Sequence, residues 1–358
     1  MKITSIEAQA FSYPLPRHFK GSNYVYTHKK GMFAKAATDA GIEGFCYLGD
    51  DFGLGAKIAE AVNTDFAKLL IGRDPVNTAD IWQDMRPLAR DILGDRRVLL
   101  HAQALCDILC WDLRAKAAEK SLVDLLGQKQ EKTPIIAIAG YYKDGHPTDG
   151  LKEEIHDLQA LGCQGIKLKV GGLSIADDVA RVRAVRAAGG ASFLLAVDAN
   201  QGWSLKEAVE FSHACEDQDI FWIEEPVHWD NDIKDLAALR KETDIPICAG
   251  QSEISVAGIA RLIDAGAVDI CNLHAGYAGG ITPWLEAAEL ARKNGLKVAN
   301  TGEPQFSASL ILACEHGMGL EIYHPDRDPV FPRHCPDFSN HANGCIGKPS
   351  LLGLGIIP

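Results

Sequence analysis

No apolar run in this 358-residue chain approaches the ~20 residues that a membrane-crossing helix needs. No basic run exceeds a pair or a short cluster, and the formal net charge is −12. Nucleic acid and anionic membrane surfaces are therefore poor partners for it. Ten cysteines are present, but none form a CxxC pair. Cys106, Cys110, Cys163, Cys248 and Cys271 sit inside apolar segments, the pattern of buried reduced thiols in a cytoplasmic protein rather than of metal ligands or disulfides. The opening Met1-Lys2-Ile3-Thr4-Ser5-Ile6 alternates like a first strand and holds no signal-peptide h-region. Missing too is the glycine-rich first turn of a doubly wound nucleotide-binding sheet.

What is present is an ordinary globular composition, 47% hydrophobic and 23% charged. The length exceeds the ~250–300 residues at which single cores stop growing, so two domains or an elaborated barrel are expected. The first part reads as a meander. Ala8 to Pro14 is extended, His18 to Lys30 is a polar, aromatic loop, and Met32 to Ala37 and Gly44 to Leu48 are further strands. Within that loop, Gly21 to Tyr26 carries two tyrosines, Tyr24 among them, and reads either as ordinary surface or as a lid contacting substrate. Helical periodicity follows over Leu54 to Leu70, Thr78 to Leu93 and Leu99 to Leu126, with Gly127 as C-cap. Residues 1–130 are thus expected to form an α+β domain.

From Thr133 the rhythm changes. Short apolar runs, each followed by a helical pattern, recur at Pro134–Ala139, Gly165–Val170, Phe193–Val197, Ile220–Ile223, Ile245–Ala249, Val268–Leu273, Leu296–Asn300 and Leu320–Tyr323. The polar residues that end them are nearly evenly spaced. Lys169 to Asp198 is 29, Asp198 to Glu224 is 26, Glu224 to Gln251 is 27, Gln251 to His274 is 23 and His274 to Thr301 is 27. Such a period fits the βα unit of an eightfold barrel, about 30 residues. Between the third and fourth strands, Ser204 to Gln218 reads as a helix with Ser204 and Glu207 forming a capping box. The expected architecture is α/β: a TIM-type (β/α)7β barrel over 131–325, with the N-terminal α+β domain as a cap. The C-terminal 326–358 has no helical period and is expected to pack back on the cap and complete it.

The strand ends converge on one barrel mouth: Lys167 and Lys169, Asp198 with Asn200, Glu224, Gln251 with Glu253, His274, Thr301 with Glu303, and Glu321. Two carboxylates and an amide on three consecutive strands make an oxygen-rich site suited to Mg²⁺ rather than to zinc or copper. Lys167 and Lys169 are two apart on a strand and share a face. Burying both ammonium groups requires carboxylate partners, and adjacent positive charge is expected to lower a lysine into the range of a base.

At this point the chain resembles the enolase superfamily, on the side of mandelate racemase and muconate lactonizing enzyme. The resemblance rests on Leu125-Leu126-Gly127, Lys167-Leu168-Lys169, Asp198-Ala199-Asn200, Ile223-Glu224-Glu225-Pro226, Ala278-Gly279-Gly280-Ile281-Thr282 and the Gly-Leu-Gly-Ile tail, and covers nearly the whole length. It implies that a small carboxylate substrate binds Mg²⁺, that a base removes the neighbouring proton, and that the metal stabilises the enediolate. By position it implies Asp198 and Glu224 as metal ligands, Lys169 as base, and Lys167 as its tuning partner and carboxylate contact. Asn200 is implied near the metal-bound oxygens and Glu321 near the enolate, while Glu303 and Tyr24 complete the expected substrate contacts. It further implies a homo-oligomer, with specificity in the cap loops His18 to Lys30 and Tyr47 to Gly53.

Three departures qualify this. The third ligand, an acid in most relatives, is replaced by Gln251, with Glu253 as an alternative two residues on. His274 stands where relatives carry an aspartate or lysine, and can itself give and take protons near neutral pH. Asn300-Thr301-Gly302-Glu303 lacks the strand-seven histidine of the mandelate racemase type. The leading expectation is a Mg²⁺-dependent dehydratase acting on an acid sugar or hydroxylated amino acid. A racemase or epimerase using Lys169 and His274 on opposite faces is the close rival. A non-catalytic ligand-binding barrel and a lysine Schiff-base lyase are readings of other classes.

Overall fold

The computed structural model describes residues 1–49, 53–338 and 344–358. Its N-terminal sheet is an antiparallel meander of β1 (Ile3–Lys20), β2 (Val25–Thr38) and β3 (Glu43–Gly49). The polar stretch expected as a loop from His18 to Lys30 is instead mostly strand. β1 and β2 stay paired out to Lys20 and Val25, with a register shift between Pro14 and Phe19, and only the tip between them turns. Ile6 is buried on one face of the sheet and Phe11 on the other, against Phe33 at 4.4 Å, whereas Tyr13 to His18 carries no alternating apolar face. The arm is held at its far end instead. The buried Phe19 ring meets Tyr141 edge-on at 5.2 Å, and Tyr142 N donates to Lys20 O at 2.8 Å.

The cap helices are α1 (Gly55–Ala61), α2 (Ala67–Leu70), α3 (Thr78–Ala89), α4 (Arg96–Ala117) and α5 (Leu122–Leu126). A widened π turn, Val62–Phe66, joins α1 to α2, so the helix expected from 54 to 70 runs through with one irregular turn. The helix expected over 99–126 is two. It stops at Ala117 and restarts behind Ser121, whose hydroxyl accepts from Asp124 N; Gly127 then ends α5 in the left-handed region.

Eight parallel strands follow: β4 (Lys132–Ala139), β5 (Gly165–Lys169), β6 (Leu194–Asp198), β7 (Trp222–Glu224), β8 (Ile247–Ala249), β9 (Ile270–Cys271), β10 (Lys297–Val298) and β11 (Leu320–Tyr323). Neighbours in sequence pair from β4 to β10, and β11 pairs β4. A parallel bridge from Val298 to Gly317, with Met318 N donating to Val298 O at 3.0 Å, joins the last edge. The connecting helices are α6 (Leu151–Ala160), α7 (Ile175–Gly189), α8 (Leu205–Ala214), α9 (Asp232–Leu239), α10 (Val256–Asp264), α11 (Ile281–Lys293) and α12 (Pro304–Leu312). The capping box of Ser204 and Glu207 starts α8. Ile136, Ala196, Trp222, Cys248, Ile270 and Ala299 fill the barrel interior, and the outward faces pack on the helices. The structure has the TIM-type barrel with an antiparallel cap that the sequence suggests.

The tail carries α13 (Phe331–His334) and β12 (Cys345–Gly347). The His334 ring lies against Phe33, Phe45 and Tyr47 of the cap sheet, and Leu354 N donates to Asp112 Oδ1 of α4 at 2.8 Å. β12 instead runs antiparallel to β4, so part of the tail extends the barrel sheet. Nine of the ten cysteines are buried and all are free thiols. Among the described residues, no helix is long and apolar enough to cross a membrane.

Candidate active site

The parallel register puts Lys169 beside Asp198 and Asp198 beside Glu224, in one row across β5, β6 and β7. Lys169 Nζ donates to Asp198 Oδ2 at 2.6 Å and to Asn200 Oδ1 at 3.0 Å. One layer deeper, Lys167 Nζ lies 2.6 Å from Glu224 Oε1, 2.7 Å from Glu321 Oε1 and 3.7 Å from Asp198 Oδ2. All five charged groups are buried. Two ammonium groups face three carboxylates, an excess of one negative charge in the barrel interior.

The electrostatics follow from that count. Burial alone would lower both lysines, but Glu224, Glu321 and Asp198 hold Lys167 above its ordinary value, and Asp198 chiefly does the same for Lys169. The expected lowering of Lys169 is thus reversed, because carboxylates outweigh both burial and the neighbouring ammonium. Burial pushes Asp198 up, yet the two lysines prevail and hold it below the usual range. Burial raises Glu224, reinforced by Glu321 and Asp198, and raises Glu321 as well. One lysine cannot satisfy both glutamates.

Gln251 stands on the turn that follows β8 and lines the cleft with Lys167, Lys169, Asp198, Asn200 and His274. Its Oε1 is buried and accepts no hydrogen bond, a costly state for an amide oxygen unless a cation or donor completes it. An orphaned amide oxygen in a cleft that Asp198 also lines suits a hard divalent cation. Among the described residues no three His, Cys, Asp or Glu side chains are grouped to hold a metal. Glu253 does not compete. The turn at Gly250, with φ of +126°, breaks strand alternation, and Glu253 faces Arg261 of α10 at 3.4 Å, outside the cleft.

Glu225, not singled out by its sequence position, organises that turn. Its carboxylate accepts from Gly250 N at 3.0 Å, Ser252 N at 3.3 Å and Ser252 Oγ at 3.0 Å. Glu225, Asn200 and Gln201 all adopt left-handed backbone, φ +42°, +46° and +63°, a strain of about 1–3 kcal/mol each that clusters at functional sites. The sequence signal was the second acid of Glu224-Glu225-Pro226, read there only as motif.

The arm delivers Tyr24, whose hydroxyl donates to Asn200 Oδ1 at 2.9 Å. His274 follows β9 and lines the cleft, its ring stacked on Tyr277 at 3.7 Å. Glu321 lies beneath the surface on Lys167 and Gly302 N. Glu303 does not reach the cleft. Its left-handed backbone, φ +49°, turns the carboxylate back to Gly49 N at 2.9 Å and to Gln305, tying barrel to cap. Asp50 to Phe52 of the second cap loop lie outside the described residues.

Beyond the site, the cap and barrel share one further joint. Asp107 of α4 accepts from Thr282 N at 2.9 Å and Thr282 Oγ at 2.6 Å, so it caps α11 from the other domain, where Gly280 offers no side chain.

Residues 150–358 match the family described as Enolase C-terminal domain-like, and residues 17–127 match the mandelate racemase/muconate lactonizing enzyme N-terminal domain. The chain is 32% identical over 257 residues to the L-talarate/galactarate dehydratase of Salmonella typhimurium, spanning 72% of this chain and 63% of that enzyme. It is 29% identical over 306 residues to the N-succinyl-L-Arg/Lys racemase of Bacillus cereus, covering 83% and 79% of the two. The crystal structure of a mandelate racemase/muconate lactonizing enzyme from a marine actinobacterium in complex with magnesium superposes with a TM-score of 0.93 at 36% identity, covering 99% of this chain and 96% of that one. Cap, barrel and strand-end motifs therefore agree with sequence and structural kinship: the chain belongs to the mandelate racemase/muconate lactonizing enzyme family of the enolase superfamily.

Proposed function

We propose that this protein is a Mg²⁺-dependent lyase that removes the proton α to a carboxylate and dehydrates an acid sugar or a hydroxylated amino acid. The observation that carries the reading is the row Lys169, Asp198 and Glu224 with the orphaned Gln251 oxygen in the cleft that Lys169 and Asp198 line. Kinship to both dehydratases and racemases supports an enzyme of this chemistry.

Asp198, Glu224 and Gln251 would hold the cation. Bound there, Mg²⁺ supplies positive charge to the reacting carboxylate and takes up negative charge that otherwise holds the lysines protonated. Lys169 Nζ then accepts the α-proton as the C–H electrons pass into an enediolate. Lys167 stays charged against Glu224 and Glu321 and faces the carboxylate. Asn200, steadied by Tyr24, orients Lys169. His274 gives a proton to the departing β-hydroxyl, which leaves as water; the enol left from an acid sugar becomes a 2-keto acid, and the enamine left from a hydroxylated amino acid becomes an imine.

A racemase or epimerase is the second reading. It is favoured by β5 and β9 lying four strands apart in the eight-strand ring, the spacing that lets Lys169 and His274 address opposite faces of one α-carbon. Proton NMR in D₂O with Mg²⁺, over acid sugars, hydroxyprolines and other amino acids, tests both. Loss of substrate to a keto acid supports the dehydratase, and α-proton exchange without loss supports the epimerase. No exchange together with no Mg²⁺ binding would return the chain to a non-catalytic barrel.

A further inference from the structure

The cleft above the lysine pair has a volume of about 1760 Å³, well beyond the roughly 300–1,000 Å³ of small-molecule sites. One carboxylate and its α-carbon fill little of it. Its outer wall is made by α3, α4 and their link. There Arg86, Arg90, Arg96 and Arg97 line it, against a single lining acid on that segment, Asp91. Four arginines to one acid reverses the balance of a chain whose net charge is −12.

Two acids, Asp91 and Glu286 of α11, share the cleft lining with the four arginines, so an excess of positive charge remains on this side. Asp91 accepts from Leu93 N at 2.9 Å, Asp95 caps α4 through Arg97 N and Val98 N, and Asp84 pairs with Arg73 at 2.6 Å. The wall is also joined to the reacting end. Arg86 lies over the Trp82 ring at 4.9 Å, and Trp82 Nε1 donates to Gly279 O at 2.8 Å. His101 Nδ1 is 2.7 Å from Arg97 O, and its ring is 5.1 Å from Tyr277, which stacks on His274. A line of side chains therefore runs from His274 to the arginines.

We infer that the arginine wall binds a second anionic group at the far end of the substrate, so that the site takes carboxylates with a distal carboxylate or phosphate rather than simple monoacids. This rests on the proposed α-proton chemistry. Guanidinium forks suit either anion, and the positive wall steers dianions inward.

The test compares six-carbon hydroxy diacids, the matching monoacids, and monoacids phosphorylated at the far carbon, by kcat/KM for α-proton exchange or keto-acid formation with Mg²⁺. A dianion is preferred by a factor of ~10 or more, and the preference shrinks with salt. Arg90→Gln/Arg97→Gln, changed at exposed positions, lowers kcat/KM for the dianion through KM and leaves the monoacid rate in place. Which dianion suffers distinguishes carboxylate from phosphate. Equal use of monoacids, or equal losses on both classes, overturns the inference. If no compound reacts, the α-proton reading fails separately. Calorimetry of the same diacid and monoacid with wild type and double variant then decides: a diacid preference abolished by the variant upholds the arginine wall, and equal or absent binding refutes it.

Discussion

Asp107 and Thr282 belong to different domains, yet the carboxylate of the first completes the helix that the second begins. The contact explains Gly280. A Cβ at Gly280 would collide with the Asp107 carboxylate, and the residue sits at φ +119°. It also fixes the segment behind His274, whose carbonyl accepts from Ala278 N at 3.1 Å.

Burial pushes the Asp107 carboxyl from 3.8 to about 7. The folded chain therefore keeps a proton that the unfolded chain releases, and this group's contribution to stability falls as pH rises from about 4 to about 7, then levels off. Urea denaturation of wild type and Asp107→Asn across that range should show the advantage of the acid shrinking with pH. A constant difference would refute it. Asp107→Ala, which strands Thr282 N, should cost about 1–3 kcal/mol.

Gly280→Ala should destabilise by about 1–3 kcal/mol, since both backbone conformation and the neighbouring carboxylate oppose a side chain. A thermal midpoint unchanged from wild type would show that the joint gives way freely.

Lys169→Ala should lower α-proton exchange by about 10²–10⁴-fold while the protein still folds, because Asn200 and a divalent cation remain to meet Asp198. Lys167→Ala should behave differently. It leaves Glu321 buried without its ammonium partner and Glu224 dependent on the divalent cation alone, and about 3–5 kcal/mol of stability should go with it. Denaturation curves and exchange rates on the two variants separate the roles, and identical behaviour would argue against them.

Replacing Gln251 by glutamate adds a charged donor in the position of an uncharged one. Gln251→Glu should tighten Mg²⁺ roughly tenfold or more, and Gln251→Ala should weaken it similarly. Calorimetric titration reads both. Unchanged affinity in each would take Gln251 out of the ligand set.

The barrel was legible because its strands are buried on both faces and read as short, mainly apolar runs: Leu320–Tyr323, apolar but for Glu321, has the same limits in sequence and structure. The arm was not, because Tyr13 to His18 and its partner strand are half exposed and polar on both sides, leaving no period of two to see. The break between α4 and α5 was hidden because apolar spacing continues across it. In the site, strand-end position brought Lys169, Asp198 and Glu224 into one row, as the register has them. It misjudged Glu253 and Glu303, since a turn at Gly250 and a left-handed residue at 303 redirect their side chains. Alternation holds only while the backbone remains extended.

The arm anchors itself through Phe19 and the backbone of Lys20, while the residues at its tip, from Asn23 to Val25, form part of the cleft wall. Attachment and cleft lining thus fall to different residues on one hairpin. Drift at Asn23 and Val25 would reshape the cleft wall without loosening the fastening, whereas Tyr24 between them stays tied to Asn200 beside the reacting row.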